Sequence, residues 1–273
     1  MLKNRFFLLV IICLLGCASC SKYRKLLKGT DNEAKYKAAL EYYEKKNYDR
    51  TLQLFEVMQA YYRTKPEGET ISFLTAECYY NKQDYVIASG YYRRFVSRYP
   101  YSQHTEEAMY KSGICYYNIS PKMTLDQSDS YMAISEFQNF IDAFPQSSLV
   151  PDANARIDTL RTKLEEKEYD ICRLYFKMEE YQAAITSYEA FLKEHPMTKY
   201  REEILNNMVI NYYRYAEKSV PSKQRERYEL ALEKYNTLCY VYPDSEYIAK
   251  LEPTVNKIME KIEKIKSNTN TKK

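Results

Sequence analysis

A chain of 273 residues that is 45% hydrophobic and 29% charged has enough apolar material for a core, while five glycines and nine prolines are too few turn-formers for a many-stranded sheet fold. The expectation is an all-α protein. A balance of 41 basic against 37 acidic side chains, formally +4, gives no reason to expect nucleic acid as a partner.

In chain order, the first element is a leader. Lys3 and Arg5 precede the apolar run Phe6–Leu15, FFLLVIICLL. As a helix this run rises about 15 Å, half the hydrocarbon thickness of a bilayer, so residues 1–19 read as a signal peptide and not as a membrane span. GCASCSKY follows, and a cysteine after small residues behind an apolar run looks like a bacterial lipobox. Cys20, after Ala18 and Ser19, is the preferred lipidation residue, with Cys17 as the alternative. Residues 20–31, carrying Lys22, Arg24, Lys25 and Lys28, then form a lipidated basic tether. Cys78, Cys115, Cys172 and Cys239 stand singly, without metal-ligand spacing, and are expected as buried small hydrophobes. No metal and no cofactor is expected.

Beyond the tether one skeleton recurs. It reads YVIASGYYRRFVSRYP at Tyr85–Pro100, SYMAISEFQNFIDAFP at Ser130–Pro145, YQAAITSYEAFLKEHP at Tyr181–Pro196 and YELALEKYNTLCYVYP at Tyr228–Pro243. Ala88, Ala133, Ala184 and Ala231 share a helical face with the ring four residues later and the apolar residue three beyond it. A small residue there lets two helices approach closely. The proline ends each helix because it has no amide to donate to the next turn. Ser102, Ser147, Thr198 and Ser245, two residues on, are placed to cap the following helix.

The pattern resembles the tetratricopeptide repeat. Its small, aromatic and proline positions fall on Ala76, Tyr79, Tyr85, Ala88, Tyr92 and Pro100, and again on Cys172, Tyr175, Tyr181, Ala184, Tyr188 and Pro196. A first, degenerate unit keeps Tyr48, Thr51 and Phe55, with its proline displaced to Pro66. The resemblance implies an α-solenoid over residues 32–266, with units at about 32–66, 67–100, 101–145, 148–196 and 198–243, a capping helix at 246–266 and a basic tail at 267–273. An insertion, Asn118–Ser128, interrupts the third unit, and a long helix is expected from about Pro151 to Lys177. Laying the repeat's groove-facing positions on this chain gives Tyr36, Leu40 and Tyr43, then Phe73, Glu77 and Tyr80, with Tyr169, Arg173 and Phe176 as further candidates. Such an aromatic groove suits an extended, partly apolar peptide, although the same rings also serve to pack repeats together. No phosphate-cradling glycine loop, nucleophile elbow or H-E-x-x-H motif occurs, and His104 and His195 sit at ordinary turn positions. The chain reads as a binding protein and not an enzyme.

The lipobox, the repeats, the punctuation PYSQH, PQSSL, PMTKY and PDSEY, and the inserted Ser120–Pro121 followed by Leu125–Asp126–Gln127 together resemble the BamD family. These are lipoprotein subunits of the outer-membrane β-barrel assembly machinery. The opening CSKYRKLLKG is similar to members from the Bacteroidota. The resemblance implies a lipid anchor in the outer membrane, a periplasmic location, and N-terminal repeats that recognise unfolded outer-membrane proteins. It also implies C-terminal repeats, here about Arg201–Lys266, that dock a POTRA domain of the barrel subunit, with accessory lipoproteins as further partners. An alternative is a repeat lipoprotein that scaffolds peptidoglycan, division or glycan-uptake proteins. The absence of Trp and the basic SKYRKLLK after the lipobox count against its glycan form.

Overall fold

The computed structural model describes residues 22–270, with side chains described to residue 267. Cys17, Cys20 and the last residues of the basic tail lie outside the described residues. A short helix over 22–28 (α1) precedes α2 (Asn32–Glu44), α3 (Tyr48–Tyr62), α4 (Glu67–Asn81), α5 (Tyr85–Arg98), α6 (Thr105–Ile119) and α7 (Ser128–Ala143). These are followed by α8 (Val150–Lys177), α9 (Tyr181–Glu194), α10 (Arg201–Glu217), α11 (Pro221–Val241) and α12 (Glu246–Asn270). There is no strand among the described residues; the fold is all-α, of the α-solenoid class. The described residues pack as two compact units that divide between Leu160 and Arg161, inside α8.

The repeat skeleton explains the packing of both units. Ala88, Ala133, Ala184 and Ala231 are wholly buried, as are Tyr92, Phe137 and Tyr188 four residues further on. In the degenerate first unit Thr51 stands at the small position, fully buried, with its hydroxyl donating to the Asn47 carbonyl at 3.1 Å. α5, α7, α9 and α11 stop two residues before Pro100, Pro145, Pro196 and Pro243. Pro253 breaks that pattern. It lies inside α12, where it and Ala249 are both exposed, so the carbonyl deprived of a donor faces water.

The hydroxyls after the prolines do something other than the expected capping. Ser102, Ser147, Thr198 and Ser245 accept from the backbone N–H two residues on, at 3.1, 3.1, 3.2 and 3.2 Å, which closes a turn ahead of the next helix. Three of them also donate backwards, Ser102 to Glu69 at 2.5 Å, Ser147 to Glu106 at 2.6 Å and Thr198 to Glu165 at 2.7 Å. Each clasp ties the turn that follows a repeat's proline back to the first helix of that repeat.

In unit one, α2 and α3 close over Ala39, Leu54, Phe55 and Met58, while α4 to α6 enclose Ala76, Tyr92, Phe95 and Cys115. Gly113 on α6 faces Phe137, where an added Cβ would come within 2.6 Å of the ring. The insertion is a compact loop in which Gln127 makes several of the bonds. Gln127, buried, donates to the carbonyls of Lys122 (2.9 Å) and Leu125 (3.0 Å) and accepts from Ser130 (2.8 Å). In unit two, α10 is buried along most of its length between α9, α11 and α12, through Ile204, Leu205, Met208, Val209 and Tyr212.

Three helix ends use a residue in the left-handed region: Lys46 (φ 57°), Gln83 (φ 64°) and Glu179 (φ 59°). Each follows the first helix of a pair, and the residue after it returns its N–H to a carbonyl five back, as Asp84 does to Tyr79 at 2.9 Å. With so few glycines, ordinary residues carry these turns.

A candidate peptide-binding surface

The expected groove residues divide between the two units and between surface and core. Tyr36 and Leu40 on α2 are half-buried, and the Tyr36 ring packs 5.5 Å from that of Tyr62. Tyr43, one turn on, lies 5.9 Å from Tyr48. Burial first, and the Glu77 carboxylate of α4 second, push the Tyr43 phenol well above its ordinary value. Tyr80 is half-buried, 5.6 Å from Tyr85 and 6.2 Å from Tyr92, with the Lys111 ammonium 5.3 Å from its ring centre.

Two of the expected groove residues of unit one are core. Phe73 is buried; it stacks on His104 at 4.2 Å and packs 5.4 Å from Phe95. Glu77 is also buried, and it accepts from two donors. The Tyr92 hydroxyl bonds to one of its oxygens, and Lys111 Nζ lies 2.8 Å from both. Lys111 completes the cluster at 2.7 Å from Glu107. Burial alone lowers the Lys111 ammonium, but its bonds to Glu107 and Glu77 outweigh that and hold it above the ordinary lysine value. The expectation that Phe73 and Glu77 face a guest is therefore corrected. Counting along the helix gave a direction, and the neighbouring helices fill that direction.

In unit two the same correction applies to Tyr169, which is buried and stacked on Tyr200 at 4.0 Å. Arg173 is half-exposed, 3.3 Å from Asp170, and Phe176 packs partly against the core. The cysteines follow the expectation except at one position. Cys78, Cys115 and Cys172 are buried, and Cys239 is half-buried. Burial, reinforced by Glu77, pushes the Cys78 and Cys115 thiols up to about 12.

The groups able to share a metal ion among the described residues are Glu168, Glu194 and His195, whose ligand atoms lie within 4.8 Å of one another. His195 Nε2 lies 2.7 Å from a Glu168 carboxylate oxygen, and Glu194 is exposed. Of the expected groove residues of unit one, Tyr36, Leu40, Tyr43 and Tyr80 are thus half-buried, while Phe73 and Glu77 are core.

The family described as "YfiO: Outer membrane lipoprotein" matches residues 28–229. The chain belongs to this family, the BamD family of outer-membrane lipoproteins. A relative from Caulobacter vibrioides, named outer membrane protein assembly factor BamD, is 25% identical over 205 residues, which cover 75% of this chain and 67% of the relative. The BamD of Neisseria meningitidis serogroup A is 24% identical over 223 residues, covering 78% and 84%. That of Rickettsia prowazekii is 27% identical over 186 residues, covering 66% and 67%. The region matched to the BamD family takes in all of unit one from the end of α1 and reaches into α11. The loop staple formed by Gln127 belongs to the inserted motif on which the BamD resemblance rests, so that motif is a structural one here.

Proposed function

We propose that the protein is a scaffold for assembly of outer-membrane β-barrel proteins, anchored to the outer membrane by acylation at Cys20 or Cys17 and facing the periplasm. The observation that carries this reading is the family match over residues 28–229, together with relatives named as outer-membrane protein assembly factors. In this reading Tyr36, Leu40, Tyr43 and Tyr80 of unit one hold an extended segment of an unfolded barrel protein. Tyrosine suits that task, since the ring supplies contact area at small entropic cost and the hydroxyl can bond to a peptide backbone. The surface of unit two between Arg201 and Lys266 docks a POTRA domain of the barrel-forming subunit. There Tyr240 and Val241 are exposed on α11. The work is binding and positioning, without catalysis.

The test uses full-length protein from membranes in mild detergent and a fluorescent peptide from a barrel strand. Tyr43→Ala with Tyr80→Ala should weaken peptide binding by about tenfold, in line with the loss of two well-placed rings, while a POTRA-bearing barrel protein still co-purifies. Unchanged peptide affinity removes the unit-one assignment. Failure to recover that barrel protein with the unsubstituted chain removes the assembly role itself.

A further inference from the structure

Unit one carries a second cleft, on a different side of α4 from the tyrosine surface. At 3.6 residues per turn, Ser72, Thr75 and Tyr79 point on average roughly 130° away from Phe73, Glu77 and Tyr80. They floor a cavity of about 490 Å³ walled by α3 and α5. Gly68 lies in the lining where α3 and α4 touch; a Cβ there would stand 2.3 Å from the Tyr62 carbonyl oxygen.

The charge of this cleft is unbalanced. Lys82 is neutralised by Asp49 at 2.6 Å. That leaves Arg63, Arg94 and Arg98 against the single carboxylate of Glu56. Among the described residues none of these three guanidinium groups pairs with a carboxylate. Arg98 donates to the Arg63 carbonyl, which fixes it at the end of α3, and Arg94 lies 5.2 Å from the ring centre of Tyr91. Tyr91 is itself stacked on Tyr79, with centroids 5.1 Å apart and planes 12° from parallel. Three guanidinium groups lining a walled cleft, against one carboxylate, leave an excess of positive charge that favours an anion there.

We infer that this cleft binds an extended peptide segment carrying acidic side chains at alternate positions. The spacing supports it. Arg94 and Arg98 stand one helical turn apart, about 6 Å along α5, and alternate side chains of an extended chain are separated by roughly 6.6 Å on one face. Each guanidinium fork then meets one carboxylate, and the hydroxyl-bearing floor and the Tyr79–Tyr91 stack meet the backbone and an intervening ring. The site is separate from the surface proposed for barrel substrates and uses none of its residues.

The test is fluorescence anisotropy on the full-length protein with a fluorescein-labelled peptide, Gly-Glu-Val-Glu-Tyr-Glu-Gly, and its Glu→Gln counterpart. The acidic peptide should bind with a micromolar dissociation constant, and the neutral one about tenfold or more weakly, as expected when charge-assisted forks are lost. Arg63→Gln with Arg94→Gln should reproduce that loss with an unchanged thermal melt, since neither side chain supports the fold. Arg94→Lys, which keeps the charge but loses the fork, should fall between. Tyr43→Ala with Tyr80→Ala should leave acidic-peptide binding intact, so failure here is distinguishable from failure of the assembly role. Equal binding of the two peptides, or an unaffected double arginine variant, overturns the inference. So does full displacement of the peptide by millimolar inorganic phosphate or by phosphatidylglycerol vesicles, which assigns the cleft to a simple anion or to lipid.

Discussion

Lys111→Met tests the pairing of Lys111 with Glu77. Lys111 Nζ lies 2.8 Å from both Glu77 oxygens, and the two side chains are only 20% and 8% exposed. Removing the ammonium leaves a buried carboxylate with the Tyr92 hydroxyl as its remaining hydrogen-bond donor. Breaking one side of such a pair costs about 3–5 kcal/mol. In a unit of this size each kcal/mol moves the midpoint by about 2–4 °C, so the transition of unit one should fall by roughly 6–20 °C. Glu77→Gln combined with Lys111→Met removes both charges and should be far milder than the two single losses added, with a coupling of about 1–3 kcal/mol. Circular dichroism during urea and thermal denaturation measures all four proteins. The pH dependence has a defined sign. The folded-state ammonium titrates above its ordinary 10.5, so its contribution is complete below that pH and lost as pH rises through the folded value. Between neutral pH and about pH 10 the gap between the unsubstituted protein and Lys111→Met should therefore be constant, and it should close above that. A Lys111→Met cost under about 1 kcal/mol, or strictly additive losses in the double variant, refutes the pairing as a structural element.

Three further outcomes are expected. Burial pushes the Tyr188 phenol up to about 12, only partly opposed by its bond from Asn207, so its neutral form supports the fold. That support is complete below pH 10 and declines as pH climbs towards 12, by up to about 1.4 kcal/mol per pH unit; Tyr188→Phe should flatten the alkaline limb of a stability titration, and an identical limb contradicts this. Site-resolved alkylation of folded protein at pH 8, read by mass spectrometry, should label Cys239 well ahead of Cys78 and Cys115, because burial keeps the latter two as thiols. Comparable labelling of all three sites disproves their burial. Gly113→Ala should destabilise unit one by about 1–3 kcal/mol through the Phe137 ring, while Gly90→Ala, which meets nothing within 4 Å, should stabilise α5 by about 0.5–1 kcal/mol. Equal effects of the two substitutions in urea melts exclude the close approach of α6 and α7.

Much of the helix layout was legible because it depends on local chemistry. Pro100 cannot donate an amide whatever surrounds it, so α5 ends before it. Ala88 and Tyr92 fall on one face by helical geometry, and both are buried. The ends at Lys46, Gln83 and Glu179 were not legible, since left-handed backbone is signalled by glycine and these positions have none. The second bonds of Ser102 and Thr198 were equally silent, because Glu69 and Glu165 each lie 33 residues away.

The candidate site divides along the same line. The sequence alone determined the all-α architecture and the helix ends ahead of the repeat prolines, because periodicity and proline act within one helix. Only the tertiary structure decided that Phe73, Glu77 and Tyr169 are core residues, since their burial is set by His104, Lys111 and Tyr200 from other helices. It also brought Arg63 on the end of α3 beside Arg94 and Arg98 on α5. A helical repeat specifies the direction of a side chain; what meets that side chain is contributed by residues about 30 positions away, and packing alone selects them.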